Sequence, residues 1–263
     1  MIKHLFFIFL FIVVFGQHLY AQPTIRVAHM NIGELSIGKK NQTIITKADR
    51  ELKVEAFKEL FNKVDADILG LCEYAPFFSL LNDSTEDKED KTEDAILNNY
   101  SHFAFSERTG RNCNIIASKL ELSNQHVVVY SKGKANRGYT VGEFEWQGKI
   151  VKVVETHFDV SQYKAYRDIQ IKELISAFEN EPYVIICGDF NLSKVSWFDV
   201  FKEHGFIMCN HGAFGSLYTY PSTRVGGYGL DNIMCKGFDI VGVQVYNSGL
   251  SDHFLIACDL VLK

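Results

Sequence analysis

Pro182-Tyr183-Val184-Ile185-Ile186-Cys187-Gly188-Asp189-Phe190-Asn191 is a short apolar run that stops at a glycine, a carboxylate and a carboxamide. It is rich in β-branched residues and too short for an ordinary helix, so it reads as a strand buried on both faces. The polar end of such a strand is held rigidly. Asp189 and Asn191 stand two apart, and on an extended backbone their side chains point the same way, toward the lip of the sheet where open α/β folds place ligands.

Outward from this stretch the same pattern recurs. Thr24 to Asn31 alternates polar and apolar residues and ends in Asn31, and Asp67 to Glu73 is an apolar strand ending in a carboxylate. Ile150 to Thr156 is closed by His157-Phe158-Asp159, Leu230 to Cys235 carries Asp231 at its start, and Ser251-Asp252-His253 precedes a strand from Phe254 to Val261. Further strands are expected at Ser101 to Phe105, Asn114 to Ser118, His126 to Tyr130, Tyr139 to Trp146 and Ile240 to Tyr246. Helical spacing predicts a helix from about Ala48 to Val64, with Phe57, Leu60, Phe61 and Val64 inward. A second spans Ser161 to Glu179, with Ile169, Ile171, Leu174, Ile175 and Phe178 on its apolar face, and a third spans Val195 to His204. No period repeats and no Pro- or Gly/Ser-rich linker divides the chain, so one α/β domain is expected.

The N-terminus bears on the compartment. Met1-Ile2-Lys3-His4 supplies a positive start, Leu5 to Phe15 is unbroken apolar sequence, and Leu19-Tyr20-Ala21 ends in a small residue. This is the pattern of a secretory signal peptide over residues 1–21, too short for a membrane span of about 20 apolar residues. The expectation is therefore a protein exported to the periplasm or outside the cell, its domain covering residues 22–263. A formal net charge of −5 argues against tight, nonspecific nucleic-acid binding, which depends on Lys and Arg. The six cysteines form no Cys-x-x-Cys pair, and Cys72, Cys187, Cys235 and Cys258 lie in apolar runs, so mostly free, buried thiols are expected and a structural zinc site is not.

Asn31, Glu73, His157, Asp189, Asn191, Asp231, Asp252 and His253 all close apolar strands. Side by side, those strand ends make one cleft rimmed by carboxylates, carboxamides and two imidazoles. Oxygen donors without thiolates suit hard Mg²⁺ or Mn²⁺, with Ca²⁺ a further candidate. Such a cleft is equipped for a phosphoester, whose transition state gathers negative charge that a metal and imidazolium donors neutralise. His29, His102, His126, His204 and His211 lack this strand-end pattern and are left out of the expected site.

The ordered set Asn31, Glu73, Thr156-His157-Phe158-Asp159, Gly188-Asp189-Phe190-Asn191, Leu230-Asp231-Asn232-Ile233 and Ser251-Asp252-His253 resembles the endonuclease/exonuclease/phosphatase superfamily, the deoxyribonuclease I-like fold. The resemblance spans nearly the whole chain after the leader. It implies a four-layer α-β-β-α sandwich of two mixed, largely antiparallel sheets, with the site at one end. It also implies roles: Glu73 as principal metal ligand with Asn31 and Asp252, Asp189 positioning water, Asn191 orienting the phosphate, His253 held by Asp231, and His157 stabilising phosphate or leaving oxygen. Arg137 matches a place where family members can carry a phosphate-contacting arginine.

The activity so implied is metal-dependent hydrolysis of a phosphodiester by water. The substrate is a nucleic acid or, alternatively, a phospholipid headgroup, an inositol phosphate or another small phosphoester. A monomer without an obligate protein partner is expected. A catalytically silent binding module on the same fold is the alternative of another class. Three departures count against DNA. Gly229 and Asn232 stand where the family often has basic and aromatic residues, no arginine follows Glu73, and the acidic run from Asp83 to Asp94 would repel a polyanion if it folded over the cleft.

Overall fold

Twelve strands assemble into two six-stranded sheets among the residues described in the computed structural model, 22–33, 47–74, 96–106, 114–134, 137–221 and 226–263. The segment expected to be a leader, Cys113 and the acidic run lie outside these residues. The first sheet has the order β11 (Phe238–Tyr246), β12 (Leu255–Leu262), β1 (Thr24–Asn31), β2 (Ile68–Cys72), β4 (Ile115–Ser118), β3 (His102–Phe105). The second has the order β5 (Ser123–Val129), β6 (Gly138–Trp146), β7 (Lys149–His157), β8 (Val184–Asp189), β10 (Asp231–Lys236), β9 (Ile207–Met208). Only β1 with β2 and β7 with β8 pair parallel; the other pairs are antiparallel.

Three apolar layers hold the sheets together. Helix α1 (Lys47–Val64) lays Phe57, Leu60, Phe61 and Val64 on the outer face of the first sheet, against Ala28, Met30, Leu69 and Leu71. Between the sheets lie the alternate residues of the same strands, among them Ile25, Val27, Val151, Val153 and Ile185. Helix α2 (Lys164–Phe178) and the short α3 (Asp199–Glu203) cover the outer face of the second sheet, on Val141, Val154, Val184 and Ile186. This is the α-β-β-α sandwich the sequence predicts. The central strands β1, β2, β4, β8 and β10 are buried on both faces, which is why they read as largely apolar runs, whereas the edge strand β5 is mostly exposed.

Two local expectations change. The buried stripe of α2 is Arg167, Gln170, Ile171, Leu174, Ile175 and Phe178, and Ile169 is half-exposed beside it. Spacing of three and four from Leu174 reaches Arg167, Gln170 and Ile171 but not Ile169. The third expected helix begins as a 3-10 turn, Val195–Phe198, and is helical only over Asp199–Glu203. The five described cysteines are buried free thiols.

Candidate active site

Strand register gathers the polar residues. In β8 the side chains facing the other sheet are Ile185, Cys187 and, at the end, Asp189; in β7 they are Val151, Val153, Glu155 and His157; in β1 they are Ile25, Val27, His29 and Asn31. His157 pairs with Asp189 across the parallel β7/β8 ladder, and Asp231 pairs with Asp189 across the antiparallel β8/β10 ladder. Three neighbouring strands thus turn polar at the same level. Asn31 arrives from the opposite sheet.

Asp189 is the centre. Its Oδ2 accepts from Asn31 Nδ2 at 3.1 Å, lies 3.3 Å from His157 Nε2 and 3.7 Å from His253 Nε2. Its Oδ1 accepts the Asn191 backbone N–H at 2.9 Å, because the chain leaves the strand by a turn with Asn191 at φ 51°. Asn191 therefore does not continue the extended backbone. Its amide instead folds back, donating to the Phe158 carbonyl at 2.9 Å and standing 3.3 Å from His157 Nε2. Glu73 also leaves its strand through the left-handed region, at φ 54°, and its Oε1 lies 4.0 Å from His157 Nε2.

The two imidazoles are held in different states. Arg137 is buried, and its Nη1 meets His157 Nδ1. Guanidinium can only donate, so Nδ1 is the acceptor and Nε2 carries the proton that faces Asp189. Burial, and then the charge of Arg137, pushes His157 below its ordinary value. His253 is its opposite. Its Nδ1 donates to Asp231 Oδ2 at 2.7 Å, and although burial opposes its charge, Asp231 and Asp189 raise it to about 9. Burial likewise opposes ionisation of Asp189, but the imidazoles of His253 and His157 hold its carboxyl far below the usual range.

Asp252 is the expected ligand set apart from the others. Its side chain is exposed, and one oxygen accepts from Ser251 Oγ at 3.3 Å. Four residues outside the expected set support the site. Arg167 donates to the Asn191 carbonyl and stacks on Trp197 at 5.0 Å, and Gln170 donates to Asp159 Oδ2 at 2.9 Å, so α2 secures the two loops that carry the site motifs. Their signal was available as the helical spacing of two polar residues on a buried stripe. His29 and Glu155 are the other two, and both are fully buried. Alternation places them two residues before Asn31 and His157, on the same face. The departures at Gly229 and Asn232 have packing causes. A Cβ at Gly229 would meet the His211 ring at 2.6 Å, and Asn232 turns away from Asp231 to exchange hydrogen bonds with Asn210.

The donors suit a hard cation. Glu73 and Asn31 offer oxygen, carboxylate oxygens of Asp189 and Asp231 lie within 4.8 Å of each other, and burial keeps the neighbouring Cys72 thiol protonated. Glu73, Asn31, His157, Asp189, Asn191, Asp231 and His253 accordingly form one acidic, imidazole-flanked cluster at the end of the sandwich.

Solved structures share this architecture. D. rerio TDP2 complexed with single strand DNA product is 13% identical, with 90% of this chain and 98% of that chain covered and a TM-score of 0.70. The human Nocturnin catalytic domain with bound sulfate anion is 18% identical over 92% and 94%, TM-score 0.66. An endonuclease/exonuclease/phosphatase family protein from Bacteroides thetaiotaomicron is 15% identical over 93% and 100%, TM-score 0.64. No curated protein sequence matches the chain. The model of the Endonuclease/Exonuclease/phosphatase family matches residues 31–253. That match spans the whole constellation, from Asn31 on β1 to His253 before β12, and the chain belongs to this family of metal-dependent hydrolases acting on phosphoester bonds.

Proposed function

We propose that this chain is an exported phosphodiesterase that uses a divalent cation, with nucleic acid as the first substrate class to test. The observation carrying the proposal is the convergence of Asn31, His157 and His253 on one carboxylate oxygen of Asp189. A carboxylate so placed accepts a hydrogen bond from a water and aligns it for attack on phosphorus. His253, kept protonated between Asp231 and Asp189, donates to a phosphate oxygen. His157 offers its Nε2–H, and the Asn191 amide a further donor, to an oxygen on which charge develops.

Arg137 supports this arrangement by fixing the His157 tautomer rather than by standing at the mouth of the cleft. Glu73 and Asn31, with Asp252 from the rim, are the residues proposed to hold Mg²⁺ or Mn²⁺. Such an ion, when bound, supplies Lewis-acid neutralisation of the phosphoryl oxygens. Export is supported by the leader-like segment with its apolar stretch from Leu5 to Phe15.

Purified protein incubated with supercoiled plasmid and Mg²⁺ or Mn²⁺ tests the proposal. Nicking is expected, blocked by EDTA and reduced by about 100-fold or more in His253→Ala. Folded protein that leaves the plasmid intact with every metal excludes DNA and directs the assay to phospholipids and small phosphodiesters.

A further inference from the structure

His29 on β1 and Glu155 on β7 form a buried contact that the proposed reaction does not use. Nδ1 of His29 lies 3.0 Å from Oε1 and 3.2 Å from Oε2 of Glu155, and Nε2 lies 3.1 Å from Oδ1 of Asp231. The other oxygen of Asp231, Oδ2, accepts from His253 at 2.7 Å. Glu155, His29, Asp231 and His253 are therefore one continuous hydrogen-bonded chain. It runs from the middle of the inter-sheet layer to the cleft.

Strand β2 makes room for it. A Cβ at Gly70 would stand 1.9 Å from Glu155 Oε2, so no other residue fits opposite the carboxylate as it lies. Cys72 also approaches, its ligand atom within 4.8 Å of those of His29 and Glu155. Both imidazole nitrogens are already engaged by carboxylates, and the thiol is protonated, so this is a hydrogen-bonded chain and not a metal cage. A buried ionic pair is a poor source of stability, since hydrocarbon of similar shape usually serves as well or better. Another reason for it is needed.

Hydrogen-bond logic supplies one. Asp231 Oδ1 is an acceptor, so Nε2 of His29 must carry a proton. Nδ1 faces Glu155 either as N–H toward a carboxylate or as a lone pair toward a carboxylic acid, and Nε2–H points at Asp231 in both cases. We propose that His29, steadied from behind by Glu155, is a positioning residue that locks Asp231 as a two-sided acceptor and so sets the orientation of His253 in the cleft. Remote hydrogen bonds of this kind orient the groups that act, at a cost of about 10- to 100-fold in activity when removed. The inference rests on the proposed phosphate-facing role of His253.

Two charge-free double variants of the whole chain separate positioning from packing. His29→Leu/Glu155→Leu fills the space with hydrocarbon and deprives Asp231 of its donor. His29→Gln/Glu155→Gln keeps an amide N–H for Asp231 and an amide partner behind it. With bis(p-nitrophenyl) phosphate and Mg²⁺ or Mn²⁺, the Leu pair is expected to lose about 10- to 100-fold in kcat with KM unchanged, while the Gln pair stays within about fivefold of the unsubstituted protein. In metal-free proton spectra, the downfield, slowly exchanging Nδ1 proton of His253 is expected in the unsubstituted protein and the Gln pair, and lost in the Leu pair. A Leu pair that folds with unchanged kcat and the proton still in place overturns the proposal. So does a Gln pair no better than the Leu pair. If the unsubstituted protein hydrolyses no phosphodiester, the functional proposal fails, and the His253 proton alone decides the positioning.

Discussion

The inter-sheet layer has two ends made by the same strands and the same alternation, and they do opposite work. At one end Ile25, Val27, Val151, Val153, Ile185 and Ile233 interdigitate as hydrocarbon. At the other, His29, Asn31, Glu155, His157, Asp189 and Asp231 are no more than 2% exposed, so six polar side chains occupy space as dry as the core beside them. The first end stabilises the fold by burial and close packing. The second tolerates the desolvation of charge only because every charge there is answered by another. At the polar end Glu73 and Asn191 also leave their strands through the left-handed region. The comparison shows that this site is the continuation of a core, not a set of loops laid on one.

Strand β8 carries a matched pair of probes for that contrast. Asp189→Asn, at the polar end, keeps shape but removes the negative charge and turns one of the two acceptor oxygens, around which four donors gather, into a donor. A loss of about 1,000-fold in turnover is expected, with native circular dichroism retained. Activity surviving this change would detach the chemistry from the polar end. Ile185→Ala, four residues earlier on the same face and fully buried, should lower stability by about 3 kcal/mol in denaturant titration and leave turnover per folded molecule nearly unchanged. If it impaired turnover as strongly as Asp189→Asn, the two ends would be one functional unit.

The smallest expected effect is on pH. Burial opposes protonation of His29 and His253, but their carboxylate partners raise them to about 10 and about 9, from the ordinary value of 6.5. A raised histidine favours the fold most fully below its unfolded value and stops doing so as pH rises through its folded value. The melting temperature of metal-free protein should therefore decline between about pH 7 and pH 10, and decline less in His29→Leu/Glu155→Leu. His157, pushed down by burial and Arg137, has the opposite sign and withdraws stability as pH falls below its ordinary value. Calorimetry showing equal slopes for both proteins would mean that His29 is not held charged.

The fold was legible because apolar alternation survives in almost every strand, and α1 shows its inward face in Phe57, Leu60, Phe61 and Val64. The strand-end residues were legible for the same reason: Asn31, Glu73, His157, Asp189 and Asp231 interrupt apolar runs where a polar group needs a purpose. Arg137, Arg167 and Gln170 were harder to place, because an arginine on a hairpin or a helix looks solvated until its neighbours are known. Asp252, next to His253 in sequence, turned outward instead.

By itself the sequence determined the strands, which of their faces are buried and where each turns polar, since side-chain alternation is a local property of extended backbone. Only the tertiary structure decided which polar ends meet. His29 contacts Glu155 126 positions away and Asp231 202 positions away, and Arg137, just before β6, fixes a proton on His157 at the end of β7. Such pairings depend on how two sheets stack and how their registers align. No local periodicity carries that information.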